Sequence, residues 1–380
     1  VIAVLHAFSR KNTGDGLLVD LTLALLEEAG VPRAATRVLA LDAASFPELP
    51  DVRQVPSEPR GKPSLHAALA AVELARGGAA EVFAARRGGA VGRLLDGATG
   101  FVAVGGGYLV ADSVVRVGGV ALNHLPQILA AGRSTAPSVY LPQSIGPLAA
   151  PIAPLVRRAL SRIDVIYARD DVTFRELAGV TDVRRCPDLA VLQLAHRLGS
   201  IARPAGGGVG PTVLVPRELA RAPGYIERVR ALGALPRALW AVQADVDGPR
   251  SDRRFLARHG FADGGDLKAV LPRERPGVVV SVRLHGAIGA LLAGWPAVHL
   301  SYERKGWGAY EDLGLSRWVH DARSFDPALV RAQVEALHDD PSPMFDALAA
   351  RLPQLLDARA ALVRELSQRF AASSRSEGRE

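Results

Sequence analysis

The chain has 380 residues, 48% apolar and 22% charged, with a net charge of +7. That length supports two domains, each with its own core, and its apolar runs break well short of the ~18 residues a membrane span needs. The single cysteine, Cys186, excludes an internal disulfide or a cysteine-rich metal site.

The basic balance favours anionic ligands such as phosphates, acidic polymers or an anionic membrane surface. Lysine occurs only as Lys11, Lys62, Lys268 and Lys305. The other cations are arginines scattered among alanines. No basic block is interleaved with aromatics, so nucleic acid is not an expected partner.

The opening "VIAVLHAF" has no basic leader segment and reads as a first strand, with a cytoplasmic location as the default expectation. The periodic run 16–30 predicts a helix, and "TRVLALD" a second strand. "KPSLHAALAAVELARGG" and "AVGRLLDGA" read as helices, and "GFVAVGGGYL" as a strand ending in three glycines. "SVYLPQSIGPL" is a strand, "APLVRRALSRI" a helix, "DVIYARD" a strand and "DVTFRELAGV" a helix. "VRRCPDLAVL" closes this half.

"RPAGGGVGP", residues 203–211, is the expected linker. The alternation then restarts. "TVLVPREL", "RALWAVQAD", "GVVVSVRLHG" and "AVHLSYERKG" carry strands. "PGYIERVRALGAL", "SDRRFLARHGF", "DLKAVLPRE", 286–294 and roughly 327–371 read as helices. Short buried strands spaced by helices predict parallel, doubly wound sheets. The expectation is two Rossmann-like domains, 1–203 and 204–371, facing a cleft in a GT-B-like arrangement, with a disordered tail at 372–380. Ligands of such sheets bind beyond the carboxyl ends of the strands.

"VSVRLHGAIGALLAGWP", residues 280–296, places a cation and an imidazole where a buried strand meets a buried helix. Packing asks for neither. A helix start at Gly286 favours an anion, and Arg283 and His285 would add donors to it. The alternatives are a backbone-bonded His285 and an Arg283 paired with an internal carboxylate.

"RLHG" before a small-residue helix, followed by "SYERKGWGAYEDLGL", resembles the polysaccharide pyruvyl transferases. "NTGDGLLV", "VGGGYL", "LPQSIGPL", "YARDDVTFREL" and "CPDLA" resemble the same family in the same order, over roughly residues 4–320. The resemblance implies a two-domain GT-B-like fold. It also implies transfer of a pyruvyl group from phosphoenolpyruvate to a pair of sugar hydroxyls, forming a ketal and releasing phosphate.

Under that reading Asp15 is the general base and His285 the acid or phosphate-side donor. Asp15 is otherwise the N-cap of the first helix. Arg169 and Lys305 would capture the donor's anionic groups together with Gly286, Arg283 and, more weakly, Arg217. Arg169 is otherwise a structural partner of an aspartate, and Lys305 a solvated loop residue. Asn12, Thr13, Gly106, Gly107 and Gln143 would face the sugar acceptor. Gly105, Gly106 and Gly107 equally fit a tight turn, and Gln143 a loop support.

"CPDLA" is expected to dock a strand. Asp245 and Asp247 form one Asp-x-Asp triplet, too little for a metal site, and the expected chemistry needs no metal or redox cofactor. A lipid-linked acceptor would bring the protein to the inner face of the membrane. The alternatives are a GT-B glycosyltransferase using a nucleotide sugar, or a non-catalytic sugar- or phosphate-binding relative.

Overall fold

The computed structural model describes residues 1–56, 90–150, 152–198, 210–244 and 251–371. The expected helix at 62–78, the linker at 203–209, the 203/204 boundary, the Asp245–Asp247 triplet and the tail at 372–380 lie outside the described residues. The chain divides into two compact units. The first is Val1–Arg10, Gly14–Leu189 and Ala358–Glu380; the second is Lys11–Thr13 and Ala190–Asp357.

The first unit is built on a parallel sheet. Its strands are β1 (Ile2–Ala7), β2 (Thr36–Ala40), β3 (Val52–Gln54), β4 (Gly100–Ala103), β5 (Gly106–Ala111), β6 (Ser138–Leu148), β7 (Val165–Ala168) and β8 (Asp182–Arg185). The order is β3-β2-β1-β4-β6-β7-β8, with β5 also on β6. β1, β4 and β7 are buried along their whole length. This is why they read as continuous apolar runs rather than alternating ones.

Helix α1 (Thr13–Glu28) follows β1. α2 (Val114–Gly119) runs through a five-residue π-helical turn, Val120–His124, into α3 (Leu125–Ala131). α4 (Ala153–Leu160) and α5 (Asp171–Glu176) follow, the latter capped by Asp170, which accepts from Thr173 N. α6 (Leu189–Leu198) leads into the second unit.

That unit has strands β9 (Thr212–Val215), β10 (Ala238–Trp240), β11 (Val278–Ser281), β12 (Ala297–Ser301) and β13 (Val319–Asp321), in the parallel order β10-β9-β11-β12-β13. Its helices are α7 (Tyr225–Leu232), α8 (Asp252–His259), α9 (Leu267–Arg273), α10 (Leu284–Leu292), α11 (Arg304–Asp312) and α12 (Pro327–Asp339). α13 (Ser342–Phe370) closes the chain.

Several local readings change. "GFVAVGGGYL" is two strands: β4 lies between β1 and β6, and past the glycines β5 leaves β1 and runs on along β6 alone. α1 and α10 start earlier than their apolar periodicity indicates, at Thr13 and Leu284. The sequence reading kept α13 with the second domain, but its end clusters with the first unit. There Arg359 Nη1 and Nη2 meet the Glu28 carboxylate at 2.8 and 2.5 Å. Phe370 fills the space above Gly100, where a Cβ would approach its ring to 2.6 Å. No helix among the described residues is long and apolar enough to cross a membrane.

Candidate functional site

In the second unit the strand order reverses between β9 and β11. Such a switch point leaves a crevice at the carboxyl ends, where parallel sheets take their ligands. The sequence candidates Arg217, Arg283, His285, Gly286 and Lys305 all fall on that edge, in the segments that follow β9, β11 and β12.

The segments after β11 and β12 share one design. Each strand ends in a serine, and each following helix has a glycine as its third residue. Ser281 Oγ donates to Arg283 O at 2.8 Å and accepts from Arg283 N at 3.1 Å. Ser301 Oγ donates to Glu303 O at 2.8 Å. Each hydroxyl occupies the space a Cβ would take, at Gly286 (2.7 Å from Ser281 Oγ) and at Gly306. The glycines thus let both helix starts come down onto the strands. α10 and α11 therefore begin from neighbouring strands and direct their unpaired N–H groups to the same edge.

His299, from β12, ties the two turns together. Its Nδ1 donates to Ser281 O at 2.8 Å. The neutral ring therefore carries its proton on Nδ1 and a lone pair on Nε2. Burial pulls its pKa down to about 4, opposed by the Ser281 carbonyl and assisted by the charges of Lys305 and His285.

The cations differ in their commitments. Arg283 closes its fork on Asp252, with Nε–Oδ2 at 2.8 Å and Nη2–Oδ1 at 2.6 Å. Asp252 also accepts from Gln243 N and Ala244 N. The expectation that Arg283 binds the donor is corrected: the internal carboxylate holds it. Lys305 pairs with Glu303 at 2.9 Å, both partly exposed. Such a surface pair is worth only about 0–1 kcal/mol, so a ligand can displace it.

Arg217 stands apart. Its Nη1 donates to Tyr302 Oη, and its guanidinium lies 4.6 Å above that ring. Its Nε is buried without an acceptor. Among the described residues no carboxylate pairs with it. The weakest candidate in the sequence is thus the one arginine of these candidates with no carboxylate partner among the described residues.

In the first unit the order reverses between β1 and β4. Asp15 is the third residue of α1, not the residue before it, so the N-cap reading is corrected; Asn12 holds the position before Thr13. Asp15 is half-buried and Asn12 exposed. Gly106 is in register with Gln143, which lies inside β6 rather than at its end. A Cβ on Gly105 would come within 2.7 Å of Pro142 O, and one on Gly107 within 2.9 Å of Arg169 Nη2. Both glycines are required by packing. Gln143 is 1% exposed, and neither its Oε1 nor its Nε2 has a partner.

Arg169 is not an open fork, and its reading as the donor's anion clamp is corrected. Nη1 meets Asp188 at 2.6 Å and Nε donates to Ser144 Oγ at 2.9 Å. Both ion-pair partners are 4% exposed at the side chain. Asp188 belongs to "CPDLA", which thus supplies the counter-charge of "YARD". Ser144 donates in turn to the capping Asp170.

Sequence reasoning missed His6, His124 and His299. Their signal was an imidazole inside an apolar run ("VLHAF", "ALNHL", "AVHLS"), where a buried ring must find a partner. His6 and His124 form a second polar cluster in the first unit with Tyr108 and Tyr140.

Residues 12–242 match the family model for polysaccharide pyruvyl transferases. No curated protein matches the chain. Among solved structures, UDP-GlcNAc 2-epimerase from Neisseria meningitidis bound to UDP-GlcNAc is 10% identical with a TM-score of 0.55, over 97% of this chain and 99% of that one. HepE of Anabaena in complex with UDP and glucose is 14% identical with a TM-score of 0.54, over 99% of each chain. An Arabidopsis thaliana protein complexed with UDP-L-rhamnose is 12% identical with a TM-score of 0.51, over 96% of this chain and 98% of that one. At these identities the likeness is one of fold, two Rossmann-like α/β domains of the GT-B class.

Proposed function

The chain belongs to the polysaccharide pyruvyl transferase family, and from that premise we propose that it transfers the enolpyruvyl group of phosphoenolpyruvate to two hydroxyls of a glycan precursor. Membership makes the protein a transferase. The donor and the ketal product are the proposal. The observation that carries it is Arg217, a cation with no carboxylate partner among the described residues and a buried Nε without an acceptor, at the switch point of the second sheet.

Phosphoenolpyruvate presents a carboxylate and a phosphate, about three negative charges to be balanced by charge-assisted donors. Arg217, Lys305 and the starts of α10 and α11 supply them. Arg283 and Arg169 act at one remove. Arg283 fixes Asp252, and through it the turn at 243–244; Arg169 holds Asp188 and Ser144 beside the glycine run.

The proton balance is definite. Two sugar O–H bonds break and two C2–O bonds form. The C2–O bond to phosphate breaks. One hydroxyl proton ends on C3, turning the methylene into a methyl group, and the other leaves with phosphate. Asp15 takes a hydroxyl proton as general base, and His285 serves the phosphate side. Asn12, Thr13, Gly106, Gly107 and Gln143 are assigned to the acceptor. A buried amide with both atoms unsatisfied is costly, and sugar hydroxyls offer the donor and the acceptor that Gln143 lacks. Attachment of that sugar to a lipid, and with it a place at the inner membrane face, belongs to the same proposal.

A binding comparison tests the donor. Phosphoenolpyruvate should raise the melting temperature and UDP-glucose should not, and Arg217→Ala should abolish the shift. Stabilisation by UDP-glucose alone would replace this reading with nucleotide-sugar transfer.

A further inference from the structure

The cluster of His6, His124, Tyr108 and Tyr140 has no role in the chemistry above. It sits on β1, β5, β6 and the π-helical turn, at the switch point of the first sheet. His6 has a φ of +66°, a conformation that L residues rarely adopt. Its N–H has left the β1–β2 ladder and donates to Gln127 Oε1 at 2.9 Å. Gln127 Nε2 in turn donates to Asn123 O at 2.7 Å. Backbone strain and π-helical turns of this kind recur at functional sites.

The hydrogen bonds fix every proton in the chain. Tyr140 Oη lies 3.0 Å from His6 Nε2, and His6 Nδ1 lies 3.2 Å from His124 Nδ1. Tyr140 has no other partner among the described residues and is fully buried, so its O–H donates to His6 Nε2. Burial keeps both imidazoles neutral. His6 therefore carries its proton on Nδ1 and donates it to His124 Nδ1. His124 in turn carries its own proton on Nε2. That Nε2–H has no partner among the described residues and is not one of the enclosed polar atoms, so it reaches the surface of an otherwise buried residue. Next to it in sequence, Asn123 Oδ1 is buried and unpartnered.

The aromatic surroundings suit a neutral ligand. The ring centroids of Tyr108, His6 and His124 are 4.8, 4.9 and 5.3 Å apart. A triangle this close to equilateral puts both imidazoles against one face of Tyr108. The Tyr108 ring is half-buried and packs against the apolar core. Arg169, the nearest cation acting on Tyr108, is neutralised by Asp188.

We propose that His124 is a locked donor that offers Nε2–H to a hydroxyl oxygen of a sugar, with Tyr140 and His6 as the positioning residues that set its tautomer. The sugar as ligand rests on the acceptor reading above; the tautomer does not.

Long-range 1H–15N correlation on histidine-labelled, full-length protein at neutral pH reads each tautomer directly. His124 should show the Nε2–H pattern and His6 the Nδ1–H pattern. The reverse pattern, or a mixture at His124, overturns the proposal. Tyr140→Phe removes the first donor and should convert His124 to a tautomer mixture while the fold, followed by circular dichroism, persists. An unchanged pattern removes Tyr140 from the chain. Methyl β-D-galactopyranoside should move the His124 Nε2–H resonance, inorganic phosphate should not, and Tyr140→Phe should weaken the sugar about fivefold. No movement with the sugar, or equal movement with phosphate, overturns the ligand. These readouts need no turnover, so failure of pyruvyl transfer would leave them standing.

Discussion

Arginines in this protein divide by what already holds them. Arg169 and Arg283 each face a buried carboxylate, whereas Arg217 meets, among the described residues, aromatic and hydroxyl groups and no carboxylate. Breaking a buried pair from one side strands the partner's charge, so Arg169→Ala should lose about 3–5 kcal/mol of stability in denaturant titrations. Arg217→Ala should leave stability within about 0.5 kcal/mol yet weaken phosphoenolpyruvate by about 2–4 kcal/mol in calorimetry. An Arg169→Ala protein as stable as the parent would show the pair to be ornamental. For the proton-transfer groups the expectation is kinetic. Asp15→Asn and His285→Gln should melt near the parent temperature and lose about 10²–10⁴-fold in turnover. Residue types were legible in the sequence, but their pairing was not. "YARD" and "CPDLA" are far apart in the chain, and nothing local says that Arg169 will find Asp188. The same holds for Arg283 and Asp252, 31 residues apart.

At the scale of elements, the two serine–turn–helix units after β11 and β12 depend on glycine. Gly286→Ala would put a methyl group 2.7 Å from Ser281 Oγ. One of the two must move, and the start of α10 moves with it. The double variant Ser281→Ala, Gly286→Ala removes the clash, so it should recover part of the stability and donor affinity lost in Gly286→Ala. A double-mutant cycle should give a coupling of about 1–2 kcal/mol. Additive losses would mean that the contact is relaxed elsewhere. The central strands and most helices were legible because strands such as β1, β4, β7, β9, β11 and β12 are buried along their whole length and read as apolar runs. What escaped was short and half-exposed, as β3 and β13 are, or irregular. The π-helical turn at Val120–His124 and the break between β4 and β5 along β6 are tertiary features with no period to read.

Across the whole molecule, His6, His124 and His299 are buried in their neutral forms, each with its pKa depressed by burial. An unfolded histidine titrates near 6.5. Above that value neither state binds the proton and the stability is fully present. As pH falls below it, the unfolded chain takes up protons that the folded one refuses, and stability is lost toward the folded pKa, about 4 for His124 and His299. Three such groups give a slope approaching about 4 kcal/mol per pH unit between roughly pH 6 and 4.5. Urea titrations at pH 7 and pH 5 check the sign, and equal stability at both would contradict neutral burial. The two-domain class was readable from strand and helix alternation, and the family from its ordered motifs. The depth at which the imidazoles sit was not, because burial is decided by the assembled sheet. The central claim, pyruvyl transfer, is tested most directly by incubating the protein with phosphoenolpyruvate and a panel of free and lipid-linked glycan precursors, following phosphate release and product mass together. The account predicts phosphate released in equal amount to a glycan carrying one added pyruvyl ketal, with both lost in Asp15→Asn. Phosphate release without a pyruvylated glycan, or a glycosylated product formed from a nucleotide sugar instead, would contradict it.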